Sequence, residues 1–188
     1  ILLVVSFAVL IWSAIKPHDY FTWVLEVLPA IIAFIILYFT YNSFRLSNLL
    51  YVLIAIHAII LMIGGHWTYA EVPLFNYFRD IGVFGRNNYD KIGHFAQGFV
   101  PVLVAREIFL RKNIVNGKNW LKFLSVMTIL AFAAFYEFVE WWISMLTGSK
   151  GDSFLGTQGY VWDTQSDMFL CFLGSFCAIL FFSGMHDK

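Results

Sequence analysis

The chain has 188 residues, of which 60% are hydrophobic, 20% aromatic and only 13% charged. A soluble domain carries about 25% charged residues, so a water-soluble fold is excluded. The net charge is zero, and no stretch has the basic character of a nucleic-acid surface.

The apolar residues fall in blocks about 20 residues long, the length that crosses a hydrocarbon core of ~30 Å. The expected fold is all-α: a single integral membrane domain, a polytopic bundle of six transmembrane helices with one long interfacial loop. The first span is 1–15, ended by Lys16-Pro17-His18-Asp19, where the proline stops a helix. It lacks a basic leader and a small-residue cleavage site, so it reads as a span and not as a signal peptide; the absence of an initiator Met leaves room for an upstream segment. The second span, 20–39, carries Glu26 and an internal Pro29, and the third, 48–63, carries His57 and ends at Gly64-Gly65. His57 is expected to make a satisfied interhelical hydrogen bond. The connection 66–88 is long and aromatic; it predicts a short interfacial helix over 74–81 and a candidate lid. The remaining spans are 89–110, 120–146 and 161–182, the fifth longer than a straight crossing needs. Cys171 and Cys177 both fall in the last block, six residues apart, and read as packing residues forming neither a disulfide nor a zinc motif.

Alternating spans divide the charges between two sides. Ten acids against five bases fall on one side, and seven bases against two acids on the other. The basic loop around Arg111 sets the orientation: that loop and both termini face the cytoplasm, and the acidic side faces out.

On the acidic side three spans each bring a spaced pair. Asp90 and His94 are i,i+4, Glu137 and Glu140 are i,i+3, and Asp163 and Asp167 are i,i+4; each spacing puts both side chains on one helix face. His66, just past the Gly-Gly pair, is placed to swing over the same mouth. Ionisable groups inside a membrane need partners or a function. Carboxylates and imidazoles gathered in low dielectric repel without a cation, and a divalent metal resolves that. Mixed His and carboxylate ligands suit zinc, manganese or iron; an all-oxygen set suits calcium or magnesium. The expected ligands are His66, Asp90, His94, Glu140 and Asp167, with Glu137 or Asp163 as general base or support. The competing reading is structural: Asp90 and Asp163 stand where helix N-caps stand, and Lys91, Arg79, Arg86 and Lys150 are available for ion pairs. The tryptophans and tyrosines at span ends are interfacial anchors. Gly156-Thr157-Gln158-Gly159 lacks the lysine and spacing of a phosphate loop and reads as a turn, with Gln158 a possible polar contact.

At YDKIGHFAQG, YEFVEWW and GDSFLGTQGYVWDTQSDM, the chain resembles the YjdF-like family of bacterial inner-membrane proteins. That resemblance implies an inner-membrane location and the importance of these motifs, and it transfers no activity. A looser likeness is to VanZ-like membrane proteins, which share the Asp-Lys-x-x-His opening matched by Asp90, Lys91 and His94, with Glu137 or Glu140 matching the next acid. The chain departs from that pattern at DTQSDM, where an Arg before the last Asp and an Asn after it would be expected.

The leading expectation is a membrane-embedded metal-dependent hydrolase or transferase, taking a membrane lipid or envelope substrate at the outer face. Cation or small-solute transport and a non-catalytic envelope factor held by a polar network are the alternatives. Nucleic acid is not an expected partner, and oligomeric state is not legible.

Overall fold

The computed structural model describes residues 1–148, 151 and 154–186, the last four by backbone alone. Lys150, Asp152, Asp187 and Lys188, which enter the charge split above, lie outside them. Among the described residues the fold is all-helical, without strands, and is carried by α1 (Leu2–Ala14), α2 (Tyr20–Thr40), α3 (Asn48–His66), α4 (Pro73–Asp80), α5 (Tyr89–Arg111), α6 (Lys118–Thr147) and α7 (Asp163–His186).

Four helices are long and apolar enough to cross a membrane: α2, α3, α6 and residues Asp163–Phe182 of α7. The expected six spans are therefore matched in position but not all in character. α1 has 13 residues, about 20 Å at 1.5 Å per residue, which is short of the hydrocarbon thickness. α5 has 23 residues, about 35 Å, but is too polar to qualify by composition. The amphipathic α4 is the short helix expected in the long connection, set one residue earlier than 74–81 and beginning at Pro73, whose missing N–H costs nothing in a first turn.

α5 lies at the centre, packed on α3, α6 and α7, while α1 and α2 join through α3. Its closest neighbour is α7. A Cβ on Gly98 would fall on the Cys171 carbonyl, and one on Gly174 would fall on the Phe95 carbonyl. Two glycines thus let the backbones meet, and the Ser175 hydroxyl donates to the Gly98 carbonyl oxygen across the contact (3.1 Å). Leu50, Val102, Leu103, Ile129, Cys171 and Ala178 form the core on this axis. Cys171 is one of these packing residues, and both cysteines are free, as expected. A second cluster, Val27, Ala30, Ala58 and Met62, fastens α2 to α3. Outward-facing Phe132, Phe169, Phe176 and Leu180 are more than half exposed, a surface that suits lipid and not water.

α3 does not stop at Gly64-Gly65 but runs to His66. Gly64 serves another end: a Cβ on it, or on Gly93 of α5, would strike the Tyr69 ring. Tyr69 thereby wedges between the two helices. The turn before α2 is capped by Asp19, which accepts the Thr22 N–H (2.6 Å). That N–H holds the Asp19 carboxyl below its ordinary value. At the opposite end of the bundle, Glu107 accepts the Ser47 N–H at the start of α3 (3.1 Å) and pairs with Arg111 (2.8 Å).

Candidate functional site: a buried charge cluster at one end of the bundle

The paired spacings converge. α5 supplies Asp90, Lys91 and His94, α6 supplies Glu137 and Glu140, and α7 supplies Asp163 and Asp167, all at the same end of the three mutually packed helices. His94, Glu137, Glu140, Asp163 and Asp167 are all buried.

Two cations thread the acids. The Lys91 ammonium donates to Asp163 Oδ1 (3.0 Å), Ser166 Oγ (2.8 Å) and Asp167 Oδ1 (2.5 Å), and lies 3.4 Å from Asp90 Oδ2. Arg86, in the connection before α5, pairs with Asp163 Oδ1 (2.8 Å) and lies 3.6 Å from Asp90 Oδ2. Asp90 sits in the first turn of α5 but leaves the cap position to Asn88; its carboxylate turns to Arg86, Lys91 and His94 instead of capping the helix.

His94 stands at the junction. Its Nε2 lies 3.1 Å from Asp90 Oδ1 and 3.9 Å from Asp167 Oδ2. Its Nδ1 lies 3.0 Å from Gln97 Oε1, one turn along the same helix. With Nδ1–H donating to that amide oxygen, a neutral ring turns its Nε2 lone pair towards a carboxylate oxygen. A proton or a metal ion on Nε2 turns that contact from repulsive to attractive. Two sets of groups bring one potential ligand atom each to within 4.8 Å of one another: Asp90, His94 and Asp167, and His94, Glu137 and Glu140. Metal–ligand bonds of about 2.0–2.2 Å put tetrahedral ligands about 3.3–3.6 Å apart. Either set would have to draw in by about 1 Å to hold one ion at such bonds.

His66 is not brought to this cluster. Because α3 continues through the glycines, the ring turns towards α1: Nδ1–H donates to the Ser13 carbonyl (3.0 Å), and the ring packs between Trp12 and Trp67 at 4.6 and 4.7 Å. Arg79, a candidate for the acids, pairs with Asp80 on the surface. The satisfied interhelical bond expected of His57 is absent: its Nε2 is buried and has no partner among the described residues. It faces a cavity of about 90 Å³, which Glu26 of α2, Tyr69, Asp90, His94, Tyr136 and Glu140 also line. Glu26 thus joins the cluster from a helix that, among the described residues, shares no extended contact with the three site helices. Gln97 could have been found in the sequence, standing three residues after His94. Tyr69 could not, since a loop tyrosine gives no sign of the glycine pair it fills.

The end of the cluster is covered by two connections bonded to each other. Arg86 donates to the Thr157 carbonyl (2.8 Å). The Gln158 amide bonds the Asn87 backbone in both directions, at 3.2 and 2.9 Å. The fully buried Asn87 side chain in turn donates to the Val72 carbonyl (3.0 Å) and Asn76 (2.8 Å) and accepts the Tyr89 N–H (3.1 Å). The 66–88 connection is therefore structured, and Gln158 is the polar contact its position allowed.

The family model described as "Predicted membrane protein (DUF2238)" matches residues 1–188. The inner membrane protein YjdF of Escherichia coli (strain K12) is 48% identical over 181 residues, covering 96% of this chain and 86% of that protein. These matches carry the first resemblance and not the VanZ-like one. No solved structure matches the chain significantly.

Proposed function

This chain belongs to the DUF2238 family of membrane proteins and is a multi-pass protein of the bacterial inner membrane, and on that premise we propose that it is a divalent-metal-dependent hydrolase or transferase acting on a lipid or envelope substrate. In this reading α1 and α5 complete six spans, the termini face the cytoplasm, and the site opens on the outer face. The observation that carries the reading is the position of His94, shared by two convergent carboxylate sets. Asp90, His94 and Asp167 are the proposed ligands, with Glu140 completing the shell. His66, expected as a ligand, is better explained by its contact with α1. A bound ion would polarise an ester or phosphoryl oxygen and supply an activated water. Glu137, beside His94 and Glu140, is the proposed general base, and Asp163 holds Arg86 and Lys91 in place.

An ion-pair network alone accounts for Asp163 and Lys91. It leaves unexplained why Glu137 and Glu140 are buried beside His94, since neither is paired with Lys91 or Arg86. Passage of cations to the basic end is disfavoured by α5 itself, which is apolar from Gly98 to Ala105.

The test is elemental analysis of detergent-purified wild type beside His94→Ala and Asp90→Ala. Near-stoichiometric zinc, manganese or iron, reduced at least tenfold in both variants with folding retained, is the expected result. Wild-type protein free of such metal, or variants that keep it in full, would sink the proposal.

A further inference from the structure

The opposite end of the bundle holds a second pocket, which the metal reading does not use. Its volume is about 330 Å³, and it is lined by Arg45, Leu46, Ser47, Glu107, Leu110 and Arg111. Small-molecule sites occupy roughly 300–1,000 Å³, so it has room for one polar head. The connection from α2 to α3 passes the last turn of α5 here. Both α2 and α3 are long and apolar enough to cross a membrane, which sets this pocket at headgroup depth.

Three cations gather at the pocket, and one of them is neutralised. Arg111 donates to Glu107 (2.8 Å) and to the Arg45 carbonyl oxygen, while the Glu107 carboxylate also accepts the Ser47 N–H. The other two have only aromatic rings. The Arg45 guanidinium lies over Tyr41 at 5.3 Å, and the Lys112 ammonium over Phe44 at 5.4 Å. Arg111 lies over the same Phe44 ring at 3.9 Å, which keeps Lys112 beside the pocket. Neither the Arg45 nor the Lys112 side chain makes a hydrogen bond or ion pair among the described residues. A ring face attracts a cation but brings no counter-charge. The open donors of Arg45 match the oxygens of a phosphate.

Ser47 gives an independent sign of a ligand. It stands at the N-terminus of α3 and makes no side-chain cap bond. Its Oγ is buried without a partner among the described residues, in a residue that lines the pocket. A buried hydroxyl without a partner is costly, and a phosphate oxygen in the pocket would accept from it.

The position narrows the source of that phosphate. An anion held here meets Arg45 and Lys112 at headgroup depth and the apolar side chains of Leu46 and Leu110, a combination that fits an amphiphile. A zwitterionic head would carry its own cation back to Arg45 and Lys112, and an anionic head would not. We infer that this pocket binds the phosphate of an anionic phospholipid, with Arg45 and Lys112 as its counter-charges and Ser47 Oγ as a donor. The site is separate from the metal cluster and does not depend on it.

The probes are phosphatidylglycerol and phosphatidylcholine with the same acyl chains, added in equal amounts to the detergent-purified full chain. Native mass spectrometry counts the lipid retained. Wild type should keep one phosphatidylglycerol at least fivefold more often than phosphatidylcholine, and Arg45→Gln/Lys112→Gln should lower that retention at least fivefold. Ser47→Ala, which removes a donor and no charge, should lower it at least twofold. Lys118→Gln/Lys122→Gln removes the same charge from the exposed start of α6, outside the pocket, and should leave retention unchanged. Glycerol phosphate in large excess should not displace the lipid. Equal retention of the two lipids overturns the inference, as does equal loss in the two lysine- and arginine-deleted variants, which would mean surface charge alone. Displacement by glycerol phosphate also overturns it, because the site would then take a soluble anion.

Discussion

Lys91 holds together three carboxylates from two helices, and its substitution is the sharpest test of the network. Lys91→Met leaves Asp163 to Arg86 but strips Asp167 of its cation. Breaking a buried pair from one side costs about 3–5 kcal/mol; with the lysine side chain 19% exposed, a loss of about 2–4 kcal/mol is expected. Thermal unfolding in detergent measures it, and the double variant Lys91→Met/Asp167→Asn should recover part of the loss. An unchanged midpoint in Lys91→Met would show that the pairs contribute nothing. The i,i+4 spacings of Asp90/His94 and Asp163/Asp167 made this cluster legible in the sequence, because a helix face is fixed by spacing alone. His66 was misplaced for the same reason in reverse: its position depended on where α3 ends, and of the two glycines that look like a stop, Gly64 admits a tyrosine ring and Gly65 lets α2 approach.

Among the elements, α5 and α7 form the pair whose approach sets the site. The facing carbonyls at Cys171 and Phe95 leave no room for a side chain at Gly98 or Gly174. Gly98→Ala is expected to destabilise by about 1–3 kcal/mol, the usual cost of overpacking. By parting Asp90 and His94 from Asp167, it should also weaken metal retention, a readout that mere loss of stability in a well-folded fraction would not move. Full retention at wild-type stability would mean that the helices separate without consequence. The bounds of α4 and α5 were readable within a residue or two from Pro73 and from the polar run before Tyr89. The approach of Glu26 to His94 was not, because periodicity reports which face of a helix is apolar and not which neighbours it meets.

For the whole molecule, the proposed orientation is open to direct measurement. Asn113→Cys in the basic loop should resist a membrane-impermeant maleimide in intact spheroplasts and react after lysis, and Asp80→Cys in α4 should react in both. The reverse pattern would place the site in the cytoplasm. The proposed orientation rests on the split of acids from bases, whereas the number of crossings could not be read from sequence, since α1 is too short and α5 too polar to be decided by hydropathy. The bonds that close the cluster also impose a schedule. Lys91 waits for partners 72 to 76 residues downstream, and at a synthesis rate of about 5–20 residues per second that wait lasts about 4–15 s. During it, the ammonium at the head of α5 has Asp90 as its near neighbour, and Asp90 has Arg86 one turn before it. This local pairing offsets part of both charges before α7 is made, so the order of birth along the chain is written into which charges are neighbours and which are distant.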